Sequence, residues 1–380
     1  MMSTHREPLK YLSVCLVALM LEASAVQADP ELEKKLNDKI VAMECPGALV
    51  GIFKGDGTVE RYVLGVADVK TRAPMQLGMH MRIASITKPL LGTVVLLLAE
   101  EGKLSLDDPI SKYVAGVPNG DKITLRQLGN NTSGLFNSIE NKEFQKAIMA
   151  EPTKDWPLQE ILDYAFSRDP YAAPGEKFRY SNTNAVLLGM VVEKVTGKKW
   201  ADVIQERICK PFALTHTGEP APGGVLPEPR PSAYRNGYVD KVIGYGDTFY
   251  DVTNYSASWT GPAGALYSTL DDVGLFIKPI ATGKLLNEQS RKEFFQWIDT
   301  GRPSLRYGFC IANLNGAVGH RGDVPGFNAT AIHFADHDCS VVTLTNLSNN
   351  KDRTTMPADE LMDLVVKHLS LAPEGSSSGK

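Results

Sequence analysis

The chain has no excess of charge of either sign and no run of basic residues. Its 380 residues include 40 Lys and Arg against 44 Asp and Glu, which gives a formal net charge of −4. Proteins that bind nucleic acid through its phosphates carry a basic patch or stripe, and this sequence has none. The composition therefore indicates partners of another kind, namely small molecules or the cell envelope.

The apolar segment at the N-terminus is too short to cross a membrane comfortably. Arg6 and Lys10 give this end a positive start, an apolar core follows from Tyr11 to Leu21, and small residues stand at Ala25 and Ala28. This order is typical of a secretory signal peptide over residues 1–28, cut after Ala28. We therefore expect a secreted or periplasmic protein with no transmembrane anchor after cleavage.

Cysteine is scarce, and four remain after that cleavage: Cys45, Cys209, Cys310 and Cys339. In an exported protein they can pair, and Cys310 with Cys339 is the first candidate because both fall in strand-like segments near the C-terminus. All four can equally be buried thiols. The sequence leaves both alternatives open.

The apolar pattern predicts strands at both ends of the chain and helices between them. An amphipathic helix from Pro30 to Met43 precedes a β-hairpin made of Ala48–Phe53 and Val59–Val66. Near the C-terminus the pattern predicts four strands and a last helix, at Arg306–Ala312, Ala317–Arg321, Ala329–Phe334, Ser340–Asn346 and Pro357–Leu369. These elements predict an α/β (α+β) fold, in which an antiparallel sheet flanked by helices is built from both termini.

A mainly helical domain is predicted as an insertion into that sheet domain. We expect residues 29–84 and 256–371 to form the α/β domain and residues 85–255 the helical domain with active-site loops. Within the latter, residues 219–255 are rich in Pro, Gly and Tyr and are predicted to be long surface loops that form a wall of a cleft. The tail, residues 372–380, is predicted to be disordered.

Ser85 and Lys88 stand one helical turn apart at the start of an apolar run. Side chains three residues apart leave a helix on the same face, so the amine can reach the hydroxyl that it would deprotonate. Ser377 to Lys380 has the same spacing by chance, in a Gly- and Ser-rich tail. The alternative is that Ser85 caps the helix while Lys88 extends to solvent.

Tyr180 and Asn182 lie where an extended segment meets a helix that begins near Thr183. Beside an ammonium group, a Tyr phenol would favour its ionised form and could act as a base, and Asn182 could bind a substrate amide. The alternative is that Ser181 or Asn182 caps the helix and Tyr180 packs in the core. Residues 234–236 repeat the Tyr-x-Asn spacing inside a predicted loop.

His320 and Gly322 lie on a strand-like segment on which alternation places His320 and Arg321 on opposite faces. Gly322 leaves room for a substrate backbone along the strand. A rival match at His216 to Gly218 has no strand to carry it and is predicted to be a loop.

Taken in order, Ser85-x-x-Lys88, Tyr180-Ser-Asn182 and His320-x-Gly322 resemble the three motifs of the penicillin-recognising serine hydrolases, the serine β-lactamase-like superfamily. The Tyr and the His are more similar to the D-alanyl-D-alanine carboxypeptidase branch, with class C β-lactamases and their esterase relatives nearby. The similarity extends over nearly all of the chain after the signal peptide and includes the segments 106–113, 132–135, 180–184 and 345–350. The resemblance implies a β-lactamase/transpeptidase-like fold.

The resemblance also implies a serine hydrolase that works through an acyl-enzyme and needs no cofactor and no metal. Ser85 would be the acylated nucleophile, Lys88 and Tyr180 the proton-transfer pair, and Asn182 a binder of the substrate amide. An acyl group on Ser85 would then pass to water or to an acceptor amine.

The third motif would complete the site. His320 would assist proton movement or position the substrate, and Gly322 would border it. By the same resemblance, the oxyanion hole would be formed by the backbone N–H groups of Ser85 and Asp323.

Several positions depart from the family's pattern: Gly129, Asn131, Arg321 and Asp323. In addition, residues 310–317 contain no arginine that could bind a substrate carboxylate. The motifs favour a D-alanyl-D-alanine carboxypeptidase or a D-amino-acid peptidase. The departures weaken the strict carboxypeptidase interpretation and give more weight to esterase or D-amino-acid amidase activity. A class C-like β-lactamase is a further alternative.

Two other interpretations come from outside this chemistry. A non-catalytic protein that binds peptide or penicillin would fit the departures, but it would have little use for Lys88 together with Tyr180. A metal site at His333, His337 and the acidic residues near them is disfavoured, because the segment is predicted to be a turn between two strands. We expect a monomer.

Overall fold

The computed structural model describes residues 28–236, 249–349 and 355–371. Its strands, in chain order, are β1 (Gly47–Lys54), β2 (Val59–Gly65), β3 (Met81–Arg82), β4 (Tyr234–Asn236), β5 (Phe249–Asp251), β6 (Tyr267–Ser268), β7 (Ile298–Arg302), β8 (Leu305–Tyr307), β9 (Ala312–Leu314), β10 (Ala317–Val324), β11 (Phe327–Phe334) and β12 (Cys339–Thr345). Eight of them form one sheet in the order β2-β1-β12-β11-β10-β9-β8-β7. All neighbouring strands in this sheet are antiparallel.

The α-helices are α1 (Pro30–Ala42), α2 (Thr87–Glu100), α3 (Leu125–Gly129), α4 (Lys142–Ala150), α5 (Leu158–Phe166), α6 (Asn182–Thr196), α7 (Trp200–Ile204), α8 (Leu270–Ala281), α9 (Glu288–Phe294) and α10 (Pro357–His368). Helices α2 to α7 come between strands β3 and β4, which is the part of the chain predicted to be helical. The helix starts follow capping chemistry: the Asp29 side chain accepts from two N–H groups of α1, and Pro30 fits the first turn.

The sheet separates two apolar cores. Strands β11 and β12 are buried along their whole length, because helices cover both of their faces. Helices α1 and α10 pack on one face with the core that contains Leu36 and Leu361, and α8 packs on the other with the large core that contains α2 and α6. The predicted fold class, a sheet built from both termini, is therefore confirmed.

Cys310 and Cys339 do not form the disulfide that the sequence suggested as the first candidate. All four described cysteines are buried free thiols. The physical reason is the sheet itself, because Cys310 belongs to the core on one face and Cys339 to the core on the other. The alternative of buried thiols is the correct one.

The predicted single strand Arg306–Ala312 is wrong, because the chain leaves the sheet between β8 and β9. Cys310 has a φ of 62°, a left-handed backbone that strands do not use, and its N–H donates to the carbonyl of Gly129 rather than to a neighbouring strand. Residues 219–255 are not loop throughout either, since they contain β4, β5 and a 3-10 turn at Pro222–Gly224.

Two terminal predictions lie outside the described residues. These are residues 1–27 of the predicted signal peptide and the tail, residues 372–380. Part of the predicted cleft wall, residues 237–248, also lies outside the described residues. Among the helices that the structure describes, none combines the length and the apolar character that a membrane crossing requires.

Candidate active site

Ser85 lies in a tight turn between β3 and α2. The turn is a 3-10 segment, Ala84–Ile86, and α2 begins at Thr87. Ala84 has a φ of 47°, a conformation that costs a non-glycine residue about 1–3 kcal/mol and is common at functional sites. No side chain caps this turn or the start of α2, so the interpretation of Ser85 as a helix cap is excluded.

Strand β10 runs directly against this turn. A Cβ atom on Gly322 would come within 2.4 Å of the Ile83 carbonyl oxygen and 3.0 Å of the Ser85 nitrogen. Glycine is therefore required at this position, because any side chain would push the strand away from the nucleophile. The same contact brings the backbone that follows, at Asp323, next to the Ser85 turn.

Lys88 is buried, and its amine is held by three acceptors. The side chain is 2% exposed, so it does not extend to solvent. Nζ lies 2.7 Å from Ser85 Oγ, 2.8 Å from Asn182 Oδ1 and 2.7 Å from the Ala263 carbonyl oxygen. Burial lowers the pKa of the Lys88 amine to about 7, so a large fraction is neutral near neutral pH and can accept the Ser85 proton.

Tyr180 and Asn182 complete what we name the nucleophile cluster: Ser85, Lys88, Tyr180 and Asn182. The Tyr180 hydroxyl donates to Ser85 Oγ over 3.2 Å, and the Lys88 amine lies 5.1 Å from the centre of the Tyr180 ring. Ser181 precedes α6 without capping it, and its hydroxyl donates to the Phe136 carbonyl instead. The turn before α2, the start of α6 and the turn at Ala263 thus meet at the Lys88 amine.

The expectation that the Tyr180 phenol would be ionised is wrong. The surrounding protein raises the pKa of Tyr180 well above its ordinary value, because a phenolate would be poorly hydrated there. In this arrangement Tyr180 is an O–H donor, and Lys88 is the group able to take a proton.

His320 is held on the sheet side of the site by two hydrogen bonds. Its Nδ1 lies 2.5 Å from the Arg321 carbonyl oxygen, which can only accept, so Nδ1 carries the proton. Its Nε2 therefore accepts from the Tyr307 hydroxyl over 3.0 Å. Burial lowers the pKa of His320 to about 3, which keeps the ring neutral. Both nitrogens are engaged, so the geometry favours the positioning role over proton movement.

Asn131 and Tyr307 were not predicted as site residues, and Tyr307 forms with His320 what we name the sheet-side cluster. The Asn131 Oδ1 accepts from the Ser181 N–H over 3.0 Å and from the Asn184 Nδ2 over 2.8 Å. The Tyr307 ring packs edge-on against the Tyr180 ring, with centroids 5.9 Å apart. Asn131, which was noted only as a departure, thus holds the segment that carries Tyr180 through hydrogen bonds on both sides of it, to the N–H groups of Arg179 and Ser181.

Arg321 and Asp323 point away from the nucleophile. Alternation along β10 exposes both residues and buries His320 and Gly322. The Arg321 guanidinium lies 3.3 Å from the Asp359 carboxylate of α10, on the opposite face of the sheet. The prediction that Arg321 faces away from the site is confirmed. The Asp323 carboxylate lies on the same outward face of the sheet as Arg321, away from the Ser85 hydroxyl.

The rival motifs lie elsewhere. His216 contacts His80, with its Nδ1 3.3 Å from the His80 Nε2, and Tyr234 begins β4. Around the turn after β11, His333 hydrogen-bonds the Ser340 hydroxyl. Across residues 28–236, 249–349 and 355–371, no group of three or more His, Cys, Asp or Glu side chains is arranged to hold a metal ion.

A cavity of about 580 Å³ opens beside Tyr180 and His320. It lies between the segment before α6 and the strands β7 to β10. Its lining residues are Asn137, Glu140, Phe178, Arg179, Tyr180, Thr300, Arg302, Leu305, Tyr307, Ala312, Leu314, His320 and Arg321. A volume of this size can hold part of a peptide or a similar small molecule.

The chain is similar to known proteins over most of its length. The family model described as Beta-lactamase matches residues 34–362. Among solved structures, a D-stereospecific amidohydrolase from Streptomyces sp. is 29% identical with a TM-score of 0.74, covering 84% of this chain and 95% of that one. A D-amino acid amidase from Ochrobactrum anthropi SV3 is 25% identical with a TM-score of 0.79, covering 90% and 98%.

Curated relatives are similar over part of their own length. Penicillin-binding protein 4* of Bacillus subtilis is 26% identical over 310 residues, which are 77% of this chain and 66% of that protein. Protein flp of Staphylococcus aureus is 27% identical over 340 residues, which are 85% of this chain and 64% of that protein. The chain therefore spans slightly less than two thirds of the length of these relatives.

Proposed function

Because this chain belongs to the Beta-lactamase family, we propose that it hydrolyses amide bonds made by the carboxyl group of D-amino acids, through an acyl-enzyme on Ser85. Family membership confirms the resemblance drawn from the three motifs, and it makes the chain a serine hydrolase. The D-configuration is supported by the names of two similar structures, a D-stereospecific amidohydrolase and a D-amino acid amidase.

The observation that carries the proposal is the 2.7 Å contact between the Lys88 amine and Ser85 Oγ, with Tyr180 on the same oxygen. In the acylation step, neutral Lys88 takes the Ser85 proton as Oγ attacks the substrate carbonyl carbon. The oxyanion that forms accepts from the backbone N–H groups of Ser85 and Asp323. The oxyanion hole and the substrate-binding role of Asn182 and Gly322 belong to this proposal.

Collapse of the tetrahedral intermediate breaks the carbon–nitrogen bond. The Tyr180 hydroxyl protonates the leaving nitrogen, and the Lys88 ammonium returns its proton to Tyr180, so charge and protons balance. Water then attacks the Ser85 ester with neutral Lys88 as base, and Lys88 passes that proton to Ser85 Oγ as the bond to the acyl carbon breaks and the free carboxylic acid leaves. Asn182, whose Oδ1 faces Lys88, can offer its amide N–H group to the substrate.

The experiment is a side-by-side assay of D-phenylalaninamide, L-phenylalaninamide, acyl-D-Ala-D-Ala, a butyrate ester and nitrocefin. We expect turnover of D-configured substrates that is lost in Ser85→Ala, with the L-amide at least about tenfold slower. Nitrocefin as the best substrate by a wide margin would favour a class C-like β-lactamase, and the butyrate ester as the best would favour an esterase. No turnover of any substrate would favour the binding protein.

We also propose that the enzyme acts outside the cytoplasm, on the grounds of the predicted signal peptide over residues 1–28. Cleavage after Ala28 would leave Asp29 to cap α1, so no described hydrogen bond of that helix depends on the removed residues. Intact-mass measurement of the exported protein should give an N-terminus at Asp29. A cell-associated protein that retains residues 1–28 would contradict the proposal.

A further inference from the structure

A second cavity, of about 230 Å³, borders the strand that leads into the Ser85 turn. Its walls come from Arg82 of β3, from the chain around the starts of α5 and α7, and from the loops at residues 219–224 and 256–261. It shares no lining residue with the larger cavity of about 580 Å³. A molecule bound there would therefore not take the place of a substrate on Ser85.

The Arg82 side chain brings a buried positive charge to this second cavity. It is 2% exposed, and its Nη2 donates to the carbonyl oxygens of Gly224 and Tyr255. Its Nη1 is buried and has no hydrogen-bond partner, and no carboxylate among the described residues forms an ion pair with it. Because buried charges are normally paired and buried donors normally hydrogen-bonded, this guanidinium is suited to an anionic ligand.

A second guanidinium, that of Arg230, adds positive charge near Arg82. Burial and the Arg230 charge lower the pKa of Arg82 to about 10, which still leaves Arg82 charged at neutral pH. Arg230 pairs with Glu228 through its Nε over 3.0 Å, but its Nη1 is also buried without a hydrogen-bond partner. Two guanidinium groups are thus balanced here by a single carboxylate.

The exposed rim of the second cavity carries net negative charge. Asp155, Lys199 and Glu219 are its exposed charged lining residues, so two carboxylates stand against one ammonium group. The Asp155 carboxylate is held in place, because both of its oxygens accept from the Gly223 N–H, over 3.0 and 2.9 Å. A buried cation with carboxylates at the rim is complementary to a ligand that has one anionic and one cationic group.

The remaining walls include two buried indole rings. Trp156 and Trp200 are 5% and 4% exposed, and Leu158 and Ala265 add further carbon surface. Such walls suit an apolar or aromatic side chain. The volume lies below the roughly 300–1,000 Å³ of pockets for drug-sized ligands, so a molecule of the size of one amino acid fits better than a peptide.

We propose that the second cavity binds a free α-amino acid with an apolar side chain, whose carboxylate Arg82 binds and whose ammonium group lies near Asp155 and Glu219. A guanidinium and a carboxylate form charge-assisted hydrogen bonds, and the ligand would supply the acceptor that Arg82 Nη1 lacks. The proposal does not rest on the proposed function, because none of these three residues belongs to the nucleophile cluster.

The test compares three ligands by calorimetry: phenylalanine, phenylalaninamide, which lacks the carboxylate, and 3-phenylpropionate, which lacks the ammonium group. Ser85→Ala protein is used so that the amide is not hydrolysed, and both enantiomers of the two chiral ligands are measured. We expect one enantiomer of phenylalanine to bind about tenfold more tightly than its amide and than 3-phenylpropionate. No measurable binding of phenylalanine, or binding no tighter than that of the other two ligands, would overturn the proposal.

Two substitutions in the Ser85→Ala protein assign the binding to this cavity. Glu219→Lys reverses a charge at the exposed rim and should weaken phenylalanine binding about tenfold, while 3-phenylpropionate, which has no ammonium group, should bind no more weakly than before. Arg82→Gln should remove the preference for phenylalanine over its amide. Because Arg82 is buried, circular dichroism checks the fold of that variant, and Glu219→Lys decides alone if Arg82→Gln does not fold.

Asp202 supplies the matched control, since it is an exposed carboxylate of α7 that does not line the cavity. Asp202→Lys should leave the affinity for phenylalanine unchanged. An affinity that stays the same in Glu219→Lys, as binding in the larger cavity would give, or that falls as much in Asp202→Lys, would overturn the proposal.

Discussion

The nucleophile cluster and the sheet-side cluster both contain buried polar groups, but they hold their protons in opposite ways. In the first, the Lys88 amine has three acceptors and a pKa lowered to about 7, so it can gain or lose a proton near neutral pH. In the second, each nitrogen of His320 has one fixed partner, and the pKa of the ring is lowered to about 3. Under the proposed function, the first cluster is the one that moves protons and the second is the one that fixes shape.

Replacement of Lys88 should have the largest effect on this comparison. Lys88→Met keeps a side chain of similar length but removes the amine, and we expect kcat/KM to fall on the order of 10⁴-fold. The measurement is kcat/KM on a D-amino-acid amide, with circular dichroism to check the fold. Lys146→Met removes an exposed lysine of α4 and should leave kcat/KM unchanged.

An outcome in which Lys88→Met keeps more than a tenth of the activity would contradict the assignment of Lys88 as the base. Proton transfer would then have to belong to another group of the site.

The second effect concerns the Tyr180 hydroxyl. Tyr180→Phe keeps the ring and removes the proton donor, so we expect kcat/KM for an amide to fall about 10²–10³-fold. A nitrophenyl ester should lose less, because its leaving group departs without a proton. The two substrates are assayed on the same variant. Tyr164→Phe, whose ring packs on Phe144 away from this cluster, is the control.

An equal loss for the amide and the ester would show that Tyr180 does not protonate the leaving group. Tyr180 would then act on a step that both substrates share.

The pH profile should show an acid limb that belongs to Lys88. Burial lowers the pKa of this amine to about 7, and the ammonium form cannot accept the Ser85 proton. We therefore expect kcat/KM to rise with pH, about tenfold per unit below pH 7, and to level above it. The limb should persist in the residual activity of Tyr180→Phe. A profile that is flat between pH 5 and pH 8 would contradict a role for Lys88 as base.

The smallest effect is expected on the sheet side. Tyr307→Phe removes the donor to His320 Nε2 and leaves a buried nitrogen unpaired, so we expect a loss of about tenfold in kcat/KM. The pKa of His320, followed by NMR, should rise, because the neutral ring loses its hydrogen bond. The neighbouring residues Lys88, Tyr180 and Arg321 are unchanged in this variant, so they do not cause the shift. Tyr62→Phe removes a comparable buried hydrogen bond to Glu60 and should lower stability without changing kcat/KM.

A Tyr307→Phe enzyme with a loss as large as that of Lys88→Met would break the comparison between the clusters. The sheet-side cluster would then have to take part in proton transfer.

The two clusters also differ in how far the sequence could predict them. Ser85 and Lys88 lie on one turn of one helix, so their spacing alone brings them together, and the structure places them as predicted. Tyr307 comes near His320 because β9 pairs with β8 on one side and β10 on the other, and the turn between β8 and β9 contains Cys310, whose positive φ no local rule predicts for a cysteine. Arg302 reaches the cavity through the pairing of β7 with β8, which is set by tertiary contacts.

The fold shows the same division. Strands β1, β2, β11 and β12 have alternating or mostly apolar sequences, so they could be predicted within a few residues. The separation of Cys310 from Cys339 could not, because it depends on which face of the sheet each thiol occupies. The boundaries proposed for the two domains remain a prediction.

The central claim is that Ser85 forms the acyl-enzyme. The most direct measurement is the intact mass of the protein after treatment with a fluorescent penicillin or an acyl-phosphonate, followed by peptide mapping of the label. The account predicts one adduct on the peptide that contains Ser85, and no adduct in Ser85→Ala. Labelling that persists in Ser85→Ala, or that maps to another residue, would contradict it.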